Sequence, residues 1–340
     1  MLIMSTTSTC PSTRKTKMPL NTALSHLLQA KTPLIADGAL ATELEARGCD
    51  LNDPLWSAKV LLESPHLIEE VHRDYFRAGA QIATTASYQA TPQGFARRGI
   101  PSQKALELVS LSVQLAARAR QEYLEARPDT GPLLIAGSVG PYGAYLADGS
   151  EYRGDYSLTP KEFVDFHRPR ITALVDAGVD VLACETLPSF AEAEALLALT
   201  SEYDVESWFS FTLRDGGHIS DGTPLEAVGG LLTPAAHVAA IGVNCVPIHF
   251  VAPALKALQQ VTEKPLAAYP NSSETYDPTT KTWSPAETSP RTESMAGQQC
   301  ELAESITTWL NLGARMIGGC CRTTPAEIAQ ARASTWGASV

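Results

Sequence analysis

The sequence lacks the features that mark membrane, secreted and nucleic-acid-binding proteins. Its longest apolar runs are too short to cross a bilayer, and none has the flanks of a secretory signal. Its 26 lysines and arginines are outnumbered by 37 acidic residues, which gives a formal charge of −11, and they form no basic patch. Because nucleic acids and anionic membranes both attract basic surfaces, the sequence predicts neither as a partner.

Cysteine is also sparse, and its pattern is not that of a disulfide-rich protein. The chain has seven cysteines, an odd number, and no Cys-x-x-Cys pair. In a mid-sized chain without a signal, this pattern is typical of an intracellular protein with reduced thiols. We therefore expect a cytoplasmic protein.

The length and the apolar content are those of a folded enzyme-sized domain. Of the 340 residues, 44% are hydrophobic and 19% are charged. Residues 1–20 differ, because they are rich in Ser and Thr, carry basic residues and lack acidic ones, which slightly resembles a mitochondrial transit peptide. We predict a disordered tail over residues 1–20 and a single domain over residues 21–340.

The chain alternates between short β-rich apolar runs and longer helical patterns. Eight runs are predicted as strands: Leu34–Ala36, Gln81–Thr84, Leu133–Ala136, Val179–Ala183, Ser207–Thr212, Ala240–Val243, Leu266–Tyr269 and Arg315–Ile317. The helical patterns cover Pro65–Ala78, Gln103–Ala126, Pro160–Ala177, Phe190–Thr200, Pro247–Val261, Cys300–Leu312 and Pro325–Ala333, with a weaker one at Pro224–Gly229.

Eight β-α repeats predict an α/β protein with a parallel sheet, and eight is the number that closes into a TIM-type (βα)8 barrel. A doubly wound open sheet is the alternative, but no Gly-x-Gly-x-x-Gly turn follows the first strand. Two connections are long, residues 38–64 after the first strand and residues 271–299 after the seventh. Since barrel enzymes place their sites on the face of such loops, we expect these two to form a lid or a wall.

Two adjacent cysteines, Cys320 and Cys321, follow the last predicted strand. Successive side chains of a strand point to opposite faces, so both thiols reach one target only where the chain bends, and Gly318 and Gly319 permit that bend. Cys245 ends the sixth strand and would reach the same barrel mouth. Three thiolates can bind Zn²⁺ and leave one position open, as in a catalytic site. A single cysteine is more often a buried small hydrophobe, but three at strand ends favour a zinc site.

A zinc ion with three thiolates has a net charge of −1, which suits an incoming thiol better than hydrolysis. The reaction class indicated is transfer of an electrophilic carbon to a thiol. Asp37 and Glu185, also at strand ends, are candidates to bind a substrate ammonium, and Thr85 is a candidate for a carboxylate. The alternative for each is a local hydrogen bond to nearby backbone.

Several segments also match a known family. They are Asp37-Gly38-Ala39, Thr42-Glu43-Leu44, Arg47-Gly48, Thr84 to Tyr88, Gly137 to Gly143, Glu185-Thr186, Gly242 to Cys245, Tyr269 to Ser272 and Gly318 to Pro325. With these segments the chain resembles the homocysteine S-methyltransferase family from about Pro33 to about Ala333. One departure is Ala39, where many relatives have a second glycine.

The resemblance implies a zinc-dependent barrel enzyme that methylates L-homocysteine to methionine. The zinc ligands that it implies are Cys245, Cys320 and Cys321, and the implied substrate-binding residues are Asp37, Thr85, Glu185, Asn244, Asn271 and Trp56. Within that set, Asp37 and Glu185 would hold the amino group of homocysteine, and Asn271 is a weaker candidate for a fourth ligand. Asn244 would orient a ligand.

The resemblance is closest to the single-domain members that use S-methylmethionine or S-adenosylmethionine. Both donors carry a cationic methylated centre, which the ring of Trp56 or Tyr88 could face. An equally good interpretation of each residue is that its ring only packs its loop against the protein. The implied partners are therefore small molecules. Two alternatives stay open: a betaine-type donor, and a non-catalytic barrel that uses Cys320 and Cys321 as an oxidisable pair.

Overall fold

The computed structural model describes residues 24–272, 274–277, 282–285 and 301–337. Eight parallel strands form its central sheet: β1 (Leu34–Ile35), β2 (Ile82–Thr84), β3 (Leu134–Val139), β4 (Val181–Leu187), β5 (Ser207–Phe211), β6 (Val238–Asn244), β7 (Leu266–Tyr269) and β8 (Ala314–Ile317). The predicted tail over residues 1–20 and most of the predicted loop over 271–299 lie outside the described residues.

The sheet closes on itself. Each strand pairs with its neighbour in the chain from β2 to β8, and β8 pairs with β1. The last seam, between β1 and β2, is joined by a bridge from Ala36 to Ile82 and by hydrogen bonds such as the one from the Asp37 N–H to the Ile82 carbonyl, 3.0 Å. The predicted (βα)8 barrel is therefore confirmed, and all eight predicted strands are present.

Helices surround the barrel. They are α1 (Leu24–Leu27), α2 (Leu40–Ala46), α3 (Val60–Glu63), α4 (Pro65–Ala78), α5 (Pro92–Ala96), α6 (Ser102–Ala126), α7 (Tyr142–Leu146), α8 (Pro160–Ala177), α9 (Phe190–Thr200), α10 (Leu225–Leu232), α11 (Ile248–Gln259), α12 (Glu301–Asn311) and α13 (Pro325–Gly337). The eight predicted helices correspond to α4, α6 and α8 to α13. None of the helices in the described ranges is both long and apolar enough to span a membrane.

Local sequence explains why the predicted helices begin where they do. At α8, the Thr159 hydroxyl accepts a hydrogen bond from the Glu162 N–H, and the Glu162 carboxylate accepts one from the Thr159 N–H. Pro160 occupies the first helical position, where a missing N–H costs nothing. This reciprocal cap is readable from sequence, which is why the predicted start of α8 is correct.

Short elements in the βα connections were not predicted. The connection 38–64 contains α2, α3 and a 3₁₀ turn at Trp56–Lys59, and the loop after β3 contains α7 and a second 3₁₀ turn at Ser150–Tyr152. Two pairs of short antiparallel strands follow β5 and β7 in the chain: Leu213–Asp215 with His218–Ile219, and Glu274–Asp277 with Thr282–Pro285. Elements this short show too little periodicity to be recognised in a sequence.

Two strands run further than predicted, and this places functional groups inside the barrel. The sequence pattern predicts that β3 and β4 end before Ser138 and Glu185, because polar residues commonly follow a buried strand. In the structure β4 continues to Leu187, so that Glu185 lies on the same face as Val181 and Ala183. This inner face also carries Trp208 and Met316, whereas Cys184 points outward into the helix-facing core.

The close contact between β6 and β7 gives a stability prediction. A Cβ atom added at Gly242 would lie 2.0 Å from the Ala267 carbonyl oxygen, which is backbone of the next strand and cannot turn away. We expect Gly242→Ala to lower the free energy of unfolding by about 3 kcal/mol, measured by chemical denaturation. Gly230→Ala is the control, since it adds a Cβ in open space on exposed α10; equal loss in both variants would contradict the prediction.

Candidate active site

A cavity of about 440 Å³ opens at the carboxyl ends of the strands. Every strand contributes to its wall, through Ala36 and Asp37, Thr84 and Thr85, Ser138, Glu185 and Thr186, Trp208, Cys245, Tyr269, and Gly319 to Cys321. Seven of the predicted site residues line it: Asp37, Trp56, Thr85, Glu185, Cys245, Cys320 and Cys321. The other two, Asn244 and Asn271, are buried outside its lining.

The three predicted thiols meet at one side of this cavity. The Sγ atoms of Cys245, Cys320 and Cys321 all lie within 4.8 Å of one another, and those of Cys245 and Cys321 are 3.6 Å apart. That spacing is far longer than a disulfide bond of roughly 2.05 Å, and the cysteines are free. It is close to the roughly 3.8 Å that separates two sulfur ligands at 2.3 Å in a tetrahedral zinc site. The thiols therefore fit a soft metal ion.

Tight backbone turns bring the thiols together. Cys245 leaves β6 with a φ of 55°, in the left-handed region. After β8, a Cβ atom at Gly319 would lie 2.2 Å from the Thr323 side chain, so only glycine allows the chain to fold back there. The Thr323 N–H closes the turn on the Cys320 carbonyl at 3.1 Å. The predicted bend at the two glycines is thus present.

Hydrogen bonds concentrate negative charge on Cys245. The thiols of Cys320 and Cys321, together with the Tyr152 hydroxyl at 3.2 Å, hydrogen-bond to its sulfur and hold its pKa well below the usual range, although burial opposes this. The same contacts keep the pKa values of Cys320 and Cys321 high. A buried thiolate backed by two further thiols is suited to bind a cation.

The two asparagines support the cluster from behind. The Asn244 amide accepts a hydrogen bond from the Thr186 N–H at 2.7 Å and donates to its hydroxyl at 2.8 Å, with its nitrogen 4.0 Å from the Cys320 sulfur. Asn271 lies in a segment that hydrogen-bonds to both cysteine loops, through the Val246 and Cys321 carbonyls. Among the described residues its buried Oδ1 has no hydrogen-bond partner. An unsatisfied oxygen in that position also fits a metal ion.

Two buried carboxylates line the same cavity as the thiols. Asp37 accepts hydrogen bonds from the N–H and the hydroxyl of Thr84, at 2.7 and 2.9 Å, and Glu185 accepts one from the Ser138 hydroxyl. Burial raises the pKa of each carboxyl group to about 7, against the lowering effect of these hydrogen bonds. An ammonium ligand would offset that cost of burial.

Thr85 lines the cavity, but its hydroxyl is already engaged. It accepts a hydrogen bond from the Ser138 N–H at 3.0 Å and shares another with the Ser87 hydroxyl at 2.7 Å. Ser87 in turn donates to the Ser138 carbonyl at 2.7 Å. These hydrogen bonds join the ends of β2 and β3, which is the alternative role expected for Thr85 from the sequence. That Thr85 binds a substrate carboxylate stays a prediction.

Aromatic rings form another part of the wall. The rings of Trp56 and Tyr88 meet edge to face, with centroids 6.2 Å apart and planes at 71°. Both residues line the cavity. Their π-faces can attract a positively charged group in it.

The charge of the cavity is entirely negative. Its lining contains five acidic residues and, throughout the described part of the chain, no lysine, arginine or histidine: the acids are Asp37, Glu45, Asp53, Glu151 and Glu185. Asp53 is paired with Arg98, and the charge of Arg322 acts on Glu45. A cavity of this composition favours cationic ligands.

Comparison with known proteins agrees with the geometry. Residues 34–335 match the family model described as homocysteine S-methyltransferase. The chain belongs to the homocysteine S-methyltransferase family. The family resemblance seen in the sequence is thus confirmed, and with it the assignment of the protein as a methyltransferase.

Similar members of the family match nearly all of this chain. Homocysteine S-methyltransferase of Escherichia coli (strain K12) is 55% identical over 318 residues, which are 93% of this chain and 99% of that protein. Homocysteine S-methyltransferase YbgG of Bacillus subtilis (strain 168) is 49% identical over 90% of this chain and 95% of its own length. The homocysteine methyltransferase MmuM from Escherichia coli, solved in its metallated form, has 53% identity and a TM-score of 0.80 over 90% of this chain and 98% of that one.

Several residues of this homocysteine S-methyltransferase site were missed from the sequence. Thr84 and Ser138 hold the buried carboxylates, and Tyr152 contacts the Cys245 sulfur. A signal existed for the last one, because Glu151 and Tyr152 follow an Asp-Gly turn in the loop after β3, on the barrel face that carries the site. The sequence does not show that this loop folds inward.

The thiol cluster gives a prediction about metal content. We expect the purified protein to hold one soft divalent ion per chain, and Cys245→Ser to lose it because two thiols bind such an ion far more weakly than three. Metal analysis by mass spectrometry of both proteins measures this. Cys49→Ser is the matched control, since Cys49 is a free thiol away from the cluster; an unchanged metal content in Cys245→Ser would refute the assignment.

Proposed function

We propose that the protein transfers a methyl group from S-methylmethionine or S-adenosylmethionine to the thiol of L-homocysteine, and so forms methionine. The observation that carries this proposal is the meeting of three thiols and two buried carboxylates in one cavity, to which the described residues contribute no cationic side chain. The relatives named as homocysteine S-methyltransferases support homocysteine as the acceptor.

The metal that the proposal requires is zinc, with Cys245, Cys320 and Cys321 as its ligands. Soft thiolate ligands at tetrahedral spacing suit this ion. When bound, zinc would lower the pKa of the acceptor thiol and keep it as a nucleophilic thiolate at neutral pH. Asn271, whose buried oxygen lacks a partner among the described residues, is the candidate to fill the fourth position before substrate arrives.

Asp37 and Glu185 bind the ammonium group of homocysteine in this proposal. Thr84 and Ser138 hold the two carboxylates in fixed positions, so that little conformational freedom is lost when the substrate binds. An ammonium group beside them restores the ionised form of both carboxylates. Asn244 acts indirectly, by fastening the end of β4 at Thr186 next to Cys320.

The methyl transfer itself needs orientation rather than acid or base catalysis. The homocysteine thiolate forms a bond to the methyl carbon while the bond from that carbon to the donor sulfur breaks, and the donor keeps the electron pair as a neutral thioether. No proton moves to the leaving group. Trp56 and Tyr88 face the sulfonium and exclude water from the reacting atoms.

Methionine formation from each donor tests the proposal. Zinc-loaded protein is incubated with L-homocysteine and S-methylmethionine, S-adenosylmethionine or glycine betaine, and methionine is measured by chromatography. We expect methionine from a sulfonium donor and none from betaine, because the thioether released from a sulfonium is a far better leaving group than the tertiary amine released from betaine.

The contrary results are distinct. Methionine from betaine alone would overturn the donor assignment and leave the acceptor assignment intact. Zinc-loaded protein that forms no methionine with any donor would refute the proposed enzyme activity and favour the non-catalytic thiol-based barrel. The Cys49→Ser variant should match the unmodified protein in each arm.

A further inference from the structure

One acidic residue in the cavity has no role in the proposed function. Asp37 and Glu185 are assigned to the homocysteine ammonium, while Asp53 and Glu45 face Arg98 and Arg322. The remaining one is Glu151. Its carboxylate lies close enough to Cys245 for their negative charges to act on each other, which places it beside the thiol cluster.

Two hydrogen-bond acceptors in the cavity wall are unsatisfied. They are Oε2 of Glu151 and Oε1 of Gln89, each shielded from solvent and without a partner in the described part of the chain. Gln89 is only 8% exposed, and its amide orientation is fixed because its nitrogen donates to the Ala144 carbonyl at 2.7 Å. Two buried acceptors that line one cavity indicate a ligand with N–H donors.

The two residues are held against adjacent backbone positions of the loop after β3. The Gln89 side chain donates a hydrogen bond to the carbonyl of Ala144 in α7. The residue before Ala144, Gly143, packs closely on the Glu151 backbone: a Cβ atom added at Gly143 would lie 2.7 Å from the Glu151 nitrogen. The Glu151 carbonyl also accepts a hydrogen bond from the Thr212 hydroxyl at 2.9 Å. These contacts fix the backbone of Glu151 and the backbone to which Gln89 is bound. The terminal torsion of the Glu151 side chain stays free to rotate, so that either carboxylate oxygen can face a ligand.

The chemistry of the donor selects which of its groups would bind here. A sulfonium has no N–H, whereas an α-ammonium has three, so only the ammonium can satisfy both acceptors. The ammonium also keeps its charge throughout methyl transfer, while the sulfonium loses its charge. A carboxylate paired with the sulfonium would stabilise the substrate more than the transition state, and pairing with the ammonium avoids that penalty.

We propose that Glu151 and Gln89 bind the α-ammonium of the methyl donor. This inference rests on the proposed function. It assigns the two amino groups of the reaction to separate pairs of acceptors, Asp37 with Glu185 for homocysteine and Glu151 with Gln89 for the donor. Donors without an N–H, such as betaines, gain nothing from the second pair.

Steady-state kinetics of Glu151→Gln test the inference with two donors. One is S-methylmethionine, and the other is 4-(dimethylsulfonio)butanoate, the same sulfonium with hydrogen in place of the amino group. We expect the variant to raise the KM for S-methylmethionine about 10- to 100-fold, because the neutral amide removes the charge that strengthens the hydrogen bond to the ammonium. The KM values for homocysteine and for the amine-free donor should not change.

Two further variants give the comparison. Asp37→Asn should show the opposite pattern, with a raised KM for homocysteine and an unchanged KM for the donor. Asp155→Asn removes an exposed carboxylate from the same loop, paired with Arg153 at 2.8 Å, and should leave all KM values unchanged.

The outcomes separate this inference from the proposed function. If unmodified protein forms no methionine from S-methylmethionine, the proposed function fails. If unmodified protein is active but Glu151→Gln raises the KM values of both sulfonium donors equally, or raises that of homocysteine instead, the inference is wrong while the proposed function stands. A misfolded variant would be recognised by loss of activity with the amine-free donor as well.

Discussion

The bridge between β1 and β2 is the constraint on which the site depends. Without the bonds from Ala36 and Asp37 to Ile82, the sheet would be open, and the end of β1 would lie at an edge rather than beside β2. Closure brings Asp37 next to Thr84, and hydrogen bonds from Thr84 then fix the Asp37 carboxylate. Closure also places Asp37 in one cavity with cysteines that lie more than 200 residues later in the chain. The parallel arrangement supplies the rest, because it turns every strand end toward the same mouth.

Inside that mouth the balance of charge is the dominant physical effect. A thiolate and several carboxylates are buried together, and the pKa values of Asp37, Glu151 and Glu185 all rise to about 7 because burial disfavours their charged forms. Such an arrangement costs stability in the free protein and is relieved by cations. A metal ion at the thiols and amino groups at the carboxylates would each offset part of this cost. Burial of negative charge would therefore favour binding of the metal ion and of both ammonium groups.

The sequence predicted the barrel and the thiol cluster because both leave short-range signals. Alternating apolar runs mark the strands, and the Gly318 to Cys321 segment can bend in few ways. The ends of β3 and β4 were predicted too early, since Ser138 and Glu185 are polar residues inside a barrel rather than after a strand. Glu151, Gln89 and Tyr152 were missed because their position depends on how the loop after β3 packs, with bonds such as Gln89 to Ala144 that join distant segments. No local pattern encodes such contacts.

We propose that Cys245, Cys320 and Cys321 hold a zinc ion with one position open for the acceptor thiol. X-ray absorption at the zinc edge of the zinc-loaded protein, with and without L-homocysteine, tests this coordination. We expect three sulfur neighbours at roughly 2.3 Å and one lighter atom in the free protein, and four sulfur neighbours after homocysteine is added. Four sulfur neighbours without substrate, or a count that homocysteine leaves unchanged, would contradict it.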